Sequence, residues 1–415
     1  MSFLSALKSG NGLNLRRVRA YPRLFLVLFV VLGAAWVSGL HEIFLPNEGV
    51  FVTDFLNVYA AGQQVREGNP AQAYDWDSHQ IREDGIRISL NKGNTLGLGK
   101  GYLPWVYPPT FFVVAWLAAF LPYWASLITY SIIGLAVFFA AMRKIIPKHT
   151  EALWALTAFP GVFANLFSGQ NGFITASLFA AGLYLLEASP IAAGMAFGAL
   201  SYKPHLFVLV PLVLVVGRYW KALIATLASA GVYALLSLIA FGAESWVAFF
   251  QSFGRTASLL HENTDRWLGI LHSVFSAVRM FGGSFQMASA IHEIVAVVAI
   301  MALMVIWKNK SASLAVRGAS LAAATLLISP YSFVYDQVLL AIPIALLAGQ
   351  GLKSGFLSYE KTLLFALWLL PLLVQDSFPH FAIPLTPPLL IGLMVMCWRR
   401  GKGEELPLRS NKANL

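Results

Sequence analysis

The sequence predicts an all-α polytopic membrane protein, and three observations carry that prediction. Hydrophobic residues make up 58% of the 415 and charged residues only 12%, with a mean hydropathy of +0.68. That leaves too little polar surface to coat a soluble fold of this size. Apolar runs of the ~20 residues that a spanning helix needs recur from Pro22 to Trp398, which gives room for about twelve crossings. The basic residues gather at the ends of those runs: Arg16, Arg17, Arg19 and Arg23 before the first, then Arg143, Lys144 and Lys148, Arg218 and Lys221, Lys308 and Lys310, and Arg399, Arg400 and Lys402. This is the positive-inside pattern, and it puts both termini in the cytoplasm. The net charge of +10 is thus a topological signal. No basic patch with interleaved aromatics points to nucleic acid. The single cysteine, Cys397, leaves no internal disulfide to form.

In chain order, residues 1–21 read as a basic cytoplasmic tail, 22–398 as the transmembrane domain and 399–415 as a second cytoplasmic tail. The first run, Pro22 to Leu40, is a full span with no small-residue cleavage site and is expected to stay as an anchor. If it runs outward, the polar segment 41–107 is a first external loop. It holds Glu42, Glu48, Asp54, Glu67, Asp75, Asp77, Glu83 and Asp84 of the chain's 19 acidic residues, and its interior reads as short helices. Asp54 to Glu67 has helical spacing, with Phe55, Val58, Tyr59 and Gly62 on one side and Gly68-Asn69-Pro70 as the stop. Gly93, Gly97, Gly99 and Gly101 then lead to Trp105-Val106-Tyr107-Pro108-Pro109. Pro108 to Met142 is broken at Leu121-Pro122; one long kinked helix and a short outer-leaflet helix followed by a span both fit the odd number of crossings required there.

Spans at Glu151–Phe167 and Gly172–Glu187 are joined outside by Ser168-Gly169-Gln170-Asn171. Two half-length runs, Pro190–Leu200 and Leu206–Val216, flank Ser201-Tyr202-Lys203-Pro204-His205. A lysine and a histidine there are costly in lipid unless they line an aqueous cavity. After Lys221–Phe241 comes a second external segment, 242–284, with Arg255, His261, Glu262, Asp265, Arg266, His272 and Arg279. Its Trp246, Phe249, Phe250 and Phe253 predict an amphipathic helix in the interface. The remaining spans are Phe285–Trp307, Leu314–Ile328, Tyr335–Leu347, Thr362–Val374 and Phe381–Trp398. Their outer connections are Ser329-Pro330-Tyr331-Ser332-Phe333-Val334-Tyr335-Asp336 and Gln375-Asp376-Ser377-Phe378-Pro379-His380. No repeat of the kind that builds inverted transporter halves is visible.

The polar residues of the outer ends are the functional candidates. Asp54 lies among Phe51, Val52, Phe55 and Leu56, where partial desolvation raises a carboxylate's pKa toward proton-accepting use; the other reading is that it N-caps a helix. Lys203 is either a fixed cation for a phosphate or a side chain snorkelling to a headgroup. Gln170 and Asn171 bind a ligand or close a tight turn. Tyr107 is a site residue or part of a helix start at Pro108-Pro109. Asp336, beside Tyr335, is a helix cap or a site residue. His261, His272 and the acids near them read as a solvated face. No zinc-site spacing, phosphate loop or Gly-x-Ser-x-Gly turn is present.

Several of these motifs resemble glycosyltransferase family 87, a group of polyprenol-phosphate-mannose-dependent mannosyltransferases and relatives in the GT-C superfamily. They are Asp54-Phe55 to Tyr59-Ala60-Ala61-Gly62, Glu67-Gly68-Asn69-Pro70 with Tyr74-Asp75, Tyr107-Pro108-Pro109, Gly169-Gln170-Asn171, Lys203-Pro204 and Ser329-Pro330-Tyr331-Ser332. The resemblance covers roughly Phe51 to Leu347. It implies a GT-C-type helical bundle in the plasma membrane with an extracytoplasmic site. There a sugar, mannose above all, passes with inversion from a polyprenyl-monophosphate donor to a glycan or glycolipid acceptor. It implies Asp54 as general base, Lys203 and His205 at the donor phosphate, and Tyr107, Gln170, Asn171, Tyr335 and Asp336 around the substrate. The expected partners are that donor, the acceptor and membrane lipids; no cofactor and no metal are expected, since a lysine can suffice for a monophosphate leaving group. Many relatives carry histidines where this chain has Tyr335 and Asp336. The competing function is a transporter or flippase of a lipid-linked saccharide. It predicts a polar path to the inner face, where charged residues inside the spans are few.

Overall fold

The computed structural model describes residues 2–37, 53–91, 104–262, 270–374 and 384–403. The glycines between 92 and 103, Asp265 and Arg266, the connection 375–380 and the tail beyond 403 lie outside the described residues, as do the side chains of His261 and Glu262. Every regular element described is helical; the one exception in kind is an isolated antiparallel bridge between Leu271 and Phe333. The elements are α1 Phe3–Ser9, α2 Leu15–Val37, α3 Phe55–Arg66, α4 Trp76–Leu90, α5 Phe112–Ala118, α6 Tyr123–Ile145, α7 Thr150–Thr157, α8 Pro160–Ser168, α9 Gly172–Leu185 and α10 Pro190–Ala199. They continue with α11 Pro204–Phe207, α12 Leu209–Val216, α13 Trp220–Glu262, α14 Val274–Met280, α15 Phe285–Lys308, α16 Leu314–Ile328, α17 Ala341–Ser354, α18 Glu360–Leu373 and α19 Thr386–Gly401. Short 3-10 turns occupy Pro70–Tyr74, Pro109–Phe111, Leu200–Tyr202 and Val334–Leu340.

The protein is an all-α membrane protein. Among the described residues five segments are long and apolar enough to cross a bilayer: Arg16–Ala35, Tyr123–Ile145, Trp220–Arg255, Phe285–Lys308 and Val334–Ser354. Shorter apolar helices cover Pro109–Ala118, Gly172–Leu185, Pro190–Tyr202, Pro204–Val216 and Leu314–Ile328. Short apolar helices of this kind need neighbours to complete a crossing, because one turn rises only ~5.4 Å.

Local chemistry sets the boundaries. Prolines open α8, α10 and α11, where a missing N–H costs nothing. Pro122 separates the short α5 from the full-length α6, so the stretch 108–142 is a short helix followed by a span. Asp75 caps α4, its side chain accepting the Ser78 N–H at 2.9 Å. Helix α13 bends at Gly242, whose φ of 78° no helix interior tolerates, and beyond the bend Phe250 and Phe253 are exposed while Phe249 is buried. The amphipathic segment is thus a second helical stretch, joined to the spanning one through the break at Gly242.

Two cores result. The larger lies inside the bundle and is built from residues such as Phe138, Phe159, Phe173, Phe197 and Trp307. The smaller is aromatic: Phe55, Tyr59, Tyr74, Trp105, Tyr107 and Phe111 pack with Phe112, Tyr202 and Phe249. Trp105 stacks on Phe112 at 5.3 Å and Phe111 on Tyr202 at 4.7 Å. Where such a side chain would otherwise meet water, its burial is worth roughly 1.5–3 kcal/mol. This second core fastens the first-loop helices α3 and α4 to the bundle, and it holds Tyr107 and the Lys203 turn beside one another.

Candidate active site

Gly169-Gln170-Asn171-Gly172 is where the chain's candidate residues meet. Gly169 ends α8 with φ +63°, a left-handed conformation that favours glycine, and a β-carbon there would lie 2.7 Å from Thr53 Oγ1 and 2.9 Å from Phe55 Cβ. On the other side, a β-carbon on Gly172 would lie 2.4 Å from Asn165 Oδ1 and 2.7 Å from the Tyr335 carbonyl oxygen. The two glycines let Gln170-Asn171 pass between the start of α3 and the Tyr335-Asp336 turn. No side chain at either position would leave room for that approach.

On the α3 side, Asp54 directly precedes the helix yet its side chain makes no capping bond; Thr53 Oγ1 takes the Phe55 N–H instead, at 3.3 Å. The Asp54 carboxylate is half-buried, and its Oδ2 accepts Nε2 of Gln170 at 3.4 Å. Gln170 Oε1 accepts the Tyr107 hydroxyl at 3.2 Å. The phenol donates to the carbonyl end of the amide, which turns the amino end toward Asp54. Tyr107 is held in turn by Tyr74, whose hydroxyl donates to the Tyr107 carbonyl at 2.8 Å. Burial, then the carboxylates of Asp336 and Asp54, push the Tyr107 phenol far above its ordinary value. It therefore stays protonated and remains a donor.

On the other side, Lys203 sits in the break between α10 and α11, with side-chain exposure of only 2%. Its Nζ donates to Asp336 Oδ1 at 2.5 Å and to Asn171 Oδ1 at 3.0 Å, and lies 5.0 Å from the Tyr335 ring centroid. The ammonium does not snorkel. Asp336 is itself buried, and its second oxygen accepts the Phe333 N–H at 3.2 Å, so one carboxylate pins its own turn and balances the cation. Neighbouring His205 has a buried Nε2 with no hydrogen-bond partner among the described residues. One dipeptide, Gln170-Asn171, thus joins the Asp54 carboxylate to the Lys203–Asp336 pair. Among the described residues no three His, Cys, Asp or Glu side chains are grouped as a metal site would need.

The profile of "Glycosyltransferase family 87" matches residues 105–330, more than half of the chain. The chain belongs to glycosyltransferase family 87. It is a membrane glycosyltransferase, and its family implies a sugar donor and a glycan acceptor. No curated protein and no solved structure matches it. Within the family 87 stretch lie Tyr107, Gln170, Asn171, Lys203 and His205, whereas Asp54, Tyr335 and Asp336 lie outside it. The structure brings those outer three against the matched core.

Sequence reading passed over other residues of the candidate site. Asn165 Oδ1 accepts the Gly172 N–H at 2.9 Å and so shapes the Gln170-Asn171 turn. Ser329 and Ser332 are buried, and their hydroxyls have no partner among the described residues. Their signal was present in the Ser-Pro-Tyr-Ser motif. Only burial distinguishes them from ordinary turn serines. His272, expected on a solvated face, is buried instead, its backbone N–H donating to the Ser332 carbonyl at 2.7 Å.

Proposed function

We propose that this family 87 enzyme transfers a sugar, expected to be mannose, from a polyprenyl-monophosphate donor to a hydroxyl of an extracytoplasmic glycan or glycolipid, with inversion. The site faces outward from the plasma membrane and both termini are cytoplasmic. The observation that carries this reading is a half-buried carboxylate, Asp54, tied through Gln170-Asn171 to the buried cation Lys203.

In the proposed step Asp54 takes the acceptor hydroxyl proton as the acceptor oxygen bonds to the anomeric carbon. The anomeric carbon–oxygen bond to phosphate breaks, and its electron pair leaves on the lipid phosphate, which gains one negative charge. Lys203, with His205 assisting, meets that charge as it develops. Asp336 already occupies the ammonium, so donor phosphate competes with Asp336 for it. Tyr107, Gln170, Asn171 and Tyr335 surround the sugar and hold the base in line. The reaction proceeds without a metal, and transfer is expected to survive chelation by EDTA.

The test is Asp54→Asn in full-length protein, assayed with polyprenyl-phosphate mannose and a lipid-linked acceptor. Transfer is expected to fall by about 100-fold or more while the melting temperature holds, since positioned general bases contribute roughly 10²–10⁴. Activity near the parent level would remove Asp54 from the mechanism.

A further inference from the structure

A groove of about 760 Å³ lies between α3, α4 and the first turn of α6, outside the cluster of Asp54, Lys203 and Asp336. Its chemistry differs from that of a lipid or phosphate site. Gln63, Gln64, Gln72, Ser78 and Ser89 line it with uncharged groups that both donate and accept, while Tyr59 and Tyr123 supply rings at one end. Those rings meet edge to face at 5.4 Å. Arg82 also lines the groove, but its two terminal nitrogens donate to the two carboxylate oxygens of Glu67, one bond measuring 2.8 Å, so no uncompensated cation is offered to an anion. Gln72 and Ser89 are exposed to water, and Gln63 is half-buried.

One lining residue of the groove reaches the segment that carries the proposed base. Tyr123, at its inner end, has its hydroxyl 3.5 Å from Thr53 Oγ1, the residue before Asp54. Along α4 the lining of the groove runs from Ser78 to Leu90, twelve positions apart, a length of roughly 18 Å at the helical rise. That exceeds what a single sugar ring fills.

We infer that this groove is the acceptor subsite, and that it takes a neutral, hydroxyl-rich oligosaccharide of at least two sugar units whose reacting end reaches Asp54. The inference rests on the reading of Asp54 as base for its polarity: the reacting end at Tyr123, the remainder along Gln63, Gln72 and Ser89. Amides and serine hydroxyls fit sugar hydroxyls, and the two tyrosines close the groove with an apolar end.

The experiment measures binding to the full-length protein in lipid nanodiscs by titration calorimetry. The probes are methyl α-glycosides of mannose and of glucose, each as mono-, di- and trisaccharide. In at least one series affinity is expected to rise about tenfold from mono- to trisaccharide, the gain of one or two net hydrogen bonds. The Gln63→Ala/Gln72→Ala variant is expected to erase that rise and leave monosaccharide binding unchanged. Ser89→Trp, a filling substitution at an exposed position, is expected to do the same and guards against a folding defect in the double variant. No rise in either series, a rise that survives both variants, or competition by inorganic phosphate for the trisaccharide would overturn the assignment. If Asp54→Asn keeps its transfer activity while the length dependence persists, the base assignment fails and the subsite stands.

Discussion

The buried pair of Lys203 and Asp336 gives the sharpest test of how this site is built. Asp336→Asn keeps the shape of the side chain and removes its charge, leaving an ammonium with 2% side-chain exposure beside two amides, Asn171 and the new asparagine, and the Tyr335 ring. The intact pair contributes little net stability, because desolvating both ions offsets their attraction. Breaking it is another matter, and an uncompensated buried charge costs about 3–5 kcal/mol. The expected outcome is a loss of that size in denaturant unfolding of the purified protein. Lys203→Met combined with Asp336→Leu removes both charges and is expected to recover most of the loss. A donor that competes with Asp336 for Lys203 should also bind Asp336→Asn more tightly than the parent, and so stabilise the variant more when added. The reasoning is refuted if Asp336→Asn loses less than about 1 kcal/mol, or if the double substitution is as unstable as the single one. It is refuted for the donor if polyprenyl-phosphate mannose stabilises parent and variant equally.

Other residues give smaller and separable effects. Tyr107→Phe removes the hydroxyl that orients Gln170, so kcat is expected to fall about tenfold with the substrate KM values nearly unchanged, a change of one to two hydrogen bonds seen only in turnover. A shift of the kcat–pH profile should accompany it; an unaltered profile would separate Tyr107 from Asp54. Gly172→Ala forces a β-carbon against the Tyr335 carbonyl at 2.7 Å and is expected to cost about 1–3 kcal/mol in unfolding experiments, together with activity. Asp75→Ala deletes the α4 cap and is expected to cost ~1 kcal/mol at neutral pH. The backbone hydrogen bond from Ser78, more than any other cause, holds the Asp75 carboxyl below its ordinary range. The gap between parent and Asp75→Ala is therefore full above about pH 4 and closes as pH falls through that depressed value; a gap that widens on acidification would contradict the cap.

Composition and periodicity alone determined that the chain is helical and membrane-bound, because lipid leaves the backbone of a long apolar run no other way to satisfy itself. The breaks were legible as well. Pro122, the Lys203-Pro204 pair and Gly169 interrupt apolar runs where the structure ends or starts helices. Motif order sufficed for the family, since Tyr107-Pro108-Pro109, Gly169-Gln170-Asn171 and Lys203-Pro204 all fall in the matched stretch. What each polar residue touches was not legible. Asp54 looked as much like a helix cap as a site residue, and only the tertiary structure shows that Thr53, not the Asp54 side chain, takes the Phe55 N–H. Lys203 and Asp336 lie 133 positions apart, and nothing local in either sequence context specifies that one neutralises the other. Hydrophobic pattern fixes which face of a helix is buried, but the partner across a buried interface is chosen by packing. Here the choice is made by two glycines that let one turn touch two distant elements at once.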